Sequence, residues 1–123
     1  MRRAIIAAVT ICLAGCAAQK PGPRPVLTTQ PPICRSDAEC SVKWDQAADA
    51  LQRLIMMRIA IHDETYMRTY AMTSVPFMAG EAMKISNGDG TFTIKARFTC
   101  RHDCDGLDVA AENAFNSSLA FGR

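Results

Sequence analysis

From Phe92 to Cys100 apolar and polar positions alternate one for one. Phe92, Ile94, Ala96, Phe98 and Cys100 form one set, and Thr93, Lys95, Arg97 and Thr99 the other. A period of two places each set on one side of an extended chain, so the pattern predicts a strand with one buried and one wet face. Just upstream, Asn87-Gly88-Asp89-Gly90 offers residues that tolerate positive φ and predicts a hairpin turn. It also resembles a calcium loop but lacks the bidentate Glu and flanking helices of that motif. The turn pairs the strand with another over about Phe77–Ser86, whose own alternation is weak. Residues 57–71 alternate Ile59 and Ile61 with Arg58, Ala60 and His62, which predicts a further strand. Continued alternation would put Asp63 and Thr65 on the side of Ile59, so a bulge resets the register or the strand outruns the core. Thr73-Ser74-Val75-Pro76 reads as a turn.

The period changes to helical on either side of these strands. Cys40, Trp44, Ala47, Ala48, Leu51 and Ile55 recur at steps of three and four, with charged residues mostly between them. Ser36-Asp37-Ala38-Glu39 ahead of this stripe fits a capping box, so a helix is expected from there to about Ile55. A second helix, capped by Asp105 or Asp108, is expected to bury Leu107, Ala110, Ala111, Ala114, Phe115 and Leu119 and to end at Gly122. The expectation is an α+β fold: a three-stranded antiparallel sheet with two helices on one face, in the order α-β-β-β-α. One domain over residues 34–123 accommodates it. At about 90 residues its core alone is marginal, and covalent staples help.

The first 33 residues differ in kind. Met1-Arg2-Arg3 is basic, Ala4 to Ala14 is mostly apolar, and small residues follow, in the manner of a secretory signal. The run is too short for a membrane span of roughly 20 residues. Leu13-Ala14-Gly15-Cys16 resembles the lipobox of bacterial lipoproteins. The resemblance implies removal of residues 1–15 and lipid attachment at Cys16. With Ala17 next in the chain, it implies the outer membrane more than the inner. Residues 17–33 contain five prolines, which exclude a helix interior or central strand. They read as a tether (domain boundaries 16–33) reaching roughly 50 Å if extended at about 3.1 Å per residue.

Losing the signal changes the charge and the cysteine count. Without Arg2 and Arg3, 12 basic residues face 12 acidic ones. No clustered basic patch of the nucleic-acid-binding kind is present. With Cys12 removed and Cys16 lipidated, Cys34, Cys40, Cys100 and Cys104 remain, an even set that in an exported small domain reads as two disulfides. Cys100-x-His102-x-Cys104 with Cys40 matches no usual zinc spacing, and neither cysteine pair has redox Cys-x-x-Cys spacing. A helix, a returning strand and a hairpin would bring Cys100 back beside Cys40. Two long-range bridges joining the Cys34/Cys40 pair to the Cys100/Cys104 pair are therefore expected; of the two such pairings, Cys40–Cys100 with Cys34–Cys104 is favoured over the crossed one, because Cys40 and Cys100 both belong to inward-facing sets.

An early Cys40 and Trp44 in the first helix, a hairpin over Phe77–Thr99, and Cys100 and Cys104 after the last strand are similar to a loose group of small bacterial envelope lipoproteins. That resemblance implies no activity. The titratable candidates for chemistry are His62, Asp63, Glu64, His102 and Asp103, with no nucleophile-elbow, phosphate-loop or zincin motif around them. His62 and Glu64 read as part of a wet strand face, and the scattered methionines, Met56 to Met83, as core fillers rather than copper ligands. No cofactor or metal is expected. The favoured expectation is a non-catalytic interaction or assembly module, held to the membrane by its lipid and docking another envelope protein through Thr93, Lys95, Arg97 and Thr99. Solubility alone also accounts for such a wet face. The alternatives are an immunity-type inhibitor of a lytic or toxic enzyme, and a small envelope enzyme using His62 or His102.

Overall fold

The computed structural model describes residues 22–74 and 77–121. The lipobox with Cys16, half of the turn expected at Thr73–Pro76, and Gly122 lie outside them. The elements run β1 (Ile33–Cys34), α1 (Asp37–Ile55), β2 (Ile59–His62), β3 (Tyr66–Thr69), β4 (Met78–Ser86), β5 (Phe92–Cys100) and α2 (Leu107–Phe121). The strands make one sheet of five, ordered β1-β5-β4-β3-β2 and antiparallel throughout.

The fold is α+β, but the expected three-stranded sheet is corrected to five strands. One added strand is β1, where the proline-rich segment ends. The other arises because residues 57–71 make two strands, not one. The chain reverses at Asp63-Glu64-Thr65, closed by a bond from Asp63 N–H to the Tyr66 carbonyl of 2.7 Å. A register shift between Ile59 and Ile61 lets Ile59 and His62 face the same side. Asp63 is the one customary turn residue in the reversal, which has no Gly, Pro or Asn, so the turn signal is weak. Trp44 supplies the tertiary reason for the bend, its indole Nε1–H donating to the Asp63 carbonyl at 2.9 Å. A buried Trp needs that partner, and the turn provides it.

α1 begins and ends by local rules. Ser36 Oγ accepts from Glu39 N–H at 3.1 Å, and Glu39 Oε2 accepts from Arg35 N–H at 3.0 Å, one residue before the expected box partner. That N–H holds the Glu39 carboxyl below its usual range. At the other end Met56 adopts φ 59°, with its N–H bonded to the Gln52 carbonyl. This left-handed position usually belongs to Gly, and a Met there costs on the order of 1 kcal/mol. All six stripe residues of α1 are buried, facing Met67, Ala82, Ile94, Ala96 and Phe98 of the sheet. The approach is tight at Gly80, where an added Cβ would meet Leu51 and Phe98 at 3.0 Å and Ile55 at 3.1 Å.

α2 is rotated from its expected pose. Ala111, Phe115 and Leu119 are buried, but Leu107, Ala110 and Ala114 are exposed and Asn116 is buried instead. The cause is the segment read as a tether, which lies along this helix from Val26 onward. Asn113 Oδ1 accepts from Thr28 N–H at 2.9 Å and from Thr29 N–H and Oγ1–H at 3.2 and 2.9 Å, and its Nδ2 donates to the Val26 carbonyl at 2.8 Å. Asn116 Nδ2 adds a bond to Thr29 Oγ1 at 3.0 Å. One amide side chain thus substitutes for a neighbouring strand. Arg24 pairs with Asp103 and Asp105, and Pro25 packs on Gly106, whose φ of +88° and lack of Cβ permit the contact. Neither Asp105 nor Asp108 precedes α2 directly; Gly106 does, and Asp108 sits in the first turn.

Two disulfides are present, Cys34–Cys40 and Cys100–Cys104. The long-range pairing is therefore corrected to two local bridges. The physical reason is parity. Each chain reversal inverts the direction of the next strand, and the extra reversal at residues 63–65 sends β5 the same way as α1. Phe92, not Cys100, lies by the start of α1, and the two cysteine pairs sit at opposite ends of the sheet.

Candidate docking face

Both helices lie on one side of the sheet, and the other side is uncovered among the described residues. Its composition follows from strand register. β4 faces β5 in the pairs Ala79–Thr99, Glu81–Arg97, Met83–Lys95 and Ile85–Thr93, and β3 extends the rows with Arg68 beside Glu81 and Tyr66 beside Met83. Thr93 is half-buried beside Ile33 of β1, while Lys95, Arg97 and Thr99 are exposed. The four residues singled out from β5 thus share one open face.

The register adds residues that the alternation of β5 alone does not reveal. Glu81 has a side chain only 14% exposed. Its Oε1 accepts from Arg97 Nε at 2.6 Å and lies 2.6 Å from a second guanidinium nitrogen, while Oε2 accepts from the Tyr66 hydroxyl at 2.8 Å. The hydrogen bond to Glu81, with burial and the carboxylate charge, pushes the Tyr66 phenol above its ordinary value. Arg68 stands on the other side of Glu81, and the two arginines with Ala79, Glu81 and Thr99 edge a hollow of about 100 Å³. Arg68, Lys95 and Arg97 face the single carboxylate Glu81, so the patch is a cationic one. Two guanidinium nitrogens of Arg97 converge on one Glu81 oxygen while Tyr66 holds the other, a charge-assisted arrangement that fixes geometry as well as charge. Ile33, Ile61 and Ile85, each between 41% and 44% exposed, border it. Alternation alone does not reveal Tyr66, Arg68 and Glu81, because β4 alternates weakly and the sequence carries little signal that separates β3 from β2. Correct strand pairing is the signal that finds them.

The other candidates are not brought together. His62 sits on β2 on the helix side, its ring 6.3 Å from that of Trp44, whereas Glu64 belongs to the turn, so the two do not share a strand face. His102 lies in the loop closed by Cys100–Cys104. Met67 and Met78 are core, while Met56 is exposed. Among the described residues no helix is long and apolar enough to cross a membrane. No family model, curated protein or solved structure matches this chain.

Proposed function

We propose that this chain is a bacterial lipoprotein, anchored in the cell envelope by lipid on Cys16, whose domain is a non-catalytic docking module. The observation that carries the reading is the uncovered cationic sheet face, where Arg97 is locked to Glu81 and Lys95 and Arg68 remain for a partner. Preorganised charges of this kind favour orientation and association rate. The partner class is another envelope protein that presents carboxylates to Arg68 and Lys95, with the bordering isoleucines as apolar contacts.

A photo-crosslinking residue at position 95 in living cells tests it, with position 49 on the exposed side of α1 as control. A discrete protein adduct from position 95, absent from position 49 and lost in Arg97→Glu, is the expected result. No adduct, or equal adducts from both positions, would overturn the docking role. Mass spectrometry of the mature chain tests the anchor independently: the expected first residue is a lipid-modified Cys16, and an intact Met1 or an unmodified Cys16 would refute it.

A further inference from the structure

The path of the residues after Gly22 fixes which end of the domain is nearest the anchor. Arg24 lies 3.7 Å from Asp103 and 3.6 Å from Asp105, just past the end of β5, and Pro25 rests on Gly106 at the start of α2. From there the strap runs along α2 toward β1 at the opposite end. Only residues 17–23 separate Arg24 from Cys16. Extended at about 3.1 Å per residue they reach roughly 25 Å, half the reach of a free tether to residue 33.

That same end carries the least explained surface of the molecule. α1 stops there, and its last turn leads into Met56, which is 78% exposed in the left-handed conformation. Backbone strain of this sort is kept where surrounding requirements enforce it. Tyr70, 57% exposed, closes a hollow of about 530 Å³ with Met56, Met57, Arg58 and Ile59. Arg53, Arg58 and Arg101 are exposed there, and among the described residues none of them is in an ion pair. Arg101 instead lies over the Phe77 ring at 4.8 Å. The far end is more acidic, with Asp37, Glu39, Asp45, Glu64 and the hairpin's Asp89 against Arg35, Lys43 and Lys84.

We propose that this end of the domain rests on the anionic phospholipid surface in which the Cys16 lipids are embedded. The proposal depends on the anchor proposed above. Arg53, Arg58 and Arg101 reach headgroup phosphates, their aliphatic stems lying along the apolar surface. Met56 and Tyr70 enter the interfacial layer, where an aromatic ring with a polar tip is favoured. Basic residues are attracted to such a surface within a Debye length of about 8 Å, and a connection of at most roughly 25 Å lets this end, rather than the opposite one, come that close. The sheet then stands with its strands steep to the bilayer, and the cationic face of β3, β4 and β5 is turned sideways, clear of the lipid.

The test uses full-length protein, processed and lipidated by its host, in phosphatidylcholine vesicles with or without phosphatidylglycerol and with brominated acyl chains. Tyr70→Trp supplies a reporter at the membrane end, and native Trp44, in the half of α1 near the far end, is the internal reference. Quenching of the Trp at 70 in phosphatidylglycerol vesicles is expected, with its loss in the Arg53→Glu, Arg58→Glu, Arg101→Glu triple variant while that variant stays anchored. A lipidated protein whose Trp at 70 is unquenched, or is quenched equally with and without phosphatidylglycerol, would overturn the headgroup contact and leave the anchor standing. A protein lacking lipid on Cys16 would overturn both. Circular dichroism of the triple variant must match the parent, and if it does not, the single variant Arg58→Glu gives the same readout with less change to the surface.

Discussion

The Tyr66 hydroxyl and the Glu81 carboxylate are joined across β3 and β4 at 2.8 Å, with Arg97 on the second carboxylate oxygen from β5. Three strands are thus tied on the open face by one side chain. Because the neutral phenol donates to the carboxylate, the folded protein holds that proton more tightly than the unfolded chain does.

The sign of the pH dependence follows. A phenol raised above its unfolded value near 10 adds stability that is fully present below that pH and lost as pH rises through the folded value. In a Tyr70→Phe background, ultraviolet titration should show Tyr66 ionising above 10. Glu81→Ala should bring the transition down, since it removes both the hydrogen bond and the negative charge. An unchanged titration would place the phenol outside the network.

The two disulfides close short loops, with sequence separations of 6 and 4. On the chain-entropy account each is worth about 2 kcal/mol, against roughly 4 for a bridge spanning some 65 residues. Replacing either pair by alanine should lower stability by about 2 kcal/mol without loss of fold, as read from urea unfolding at constant m-value. Non-reducing peptide mapping should return Cys34 with Cys40. A crossed peptide joining 34 or 40 to 100 or 104 would contradict a β5 that runs the same way as α1.

Asn113→Ala should release the strap. It removes the acceptor for two backbone N–H groups and the donor to the Val26 carbonyl, all near the surface where water can replace them, so about 1–2 kcal/mol is expected. Hydrogen exchange at Thr28 and Thr29 should accelerate while exchange in β4 and β5 stays slow. Equal acceleration throughout would mean that the strap and the sheet unfold as one unit.

How far the sequence could be read depended on whether a residue's neighbours in the chain were also its neighbours in space. Ser36 and Glu39 act within one turn, and Asn87 to Thr91 close a hairpin by local bonds, so both were legible. The alternation of β5 is legible because each of its faces meets a uniform environment. The reversal at Asp63–Thr65 was not, since the group that stabilises it, Trp44 Nε1–H, is 19 positions away. Missing that one turn inverted every later strand direction and with it the disulfide pairing. The strap is illegible for a related reason: proline excludes a helix, but it does not exclude an extended segment gripped by side-chain amides such as Asn113. On the open face, Lys95 and Arg97 were found from period two, while Glu81 needed the register between β4 and β5.

Fastening the chain along α2 also determines how the domain would carry load. Tension arriving from the N-terminal side meets first the Arg24 pairs and then the bonds to Asn113 and Asn116. Release frees length at the cost of the short β1 pairing and leaves β2 to β5 joined. It stops at Cys34, where the covalent link to Cys40 diverts the pull into the first turn of α1. A loop of seven residues, Cys34 to Cys40, therefore works as a mechanical stop between a compliant leader and a stiff body.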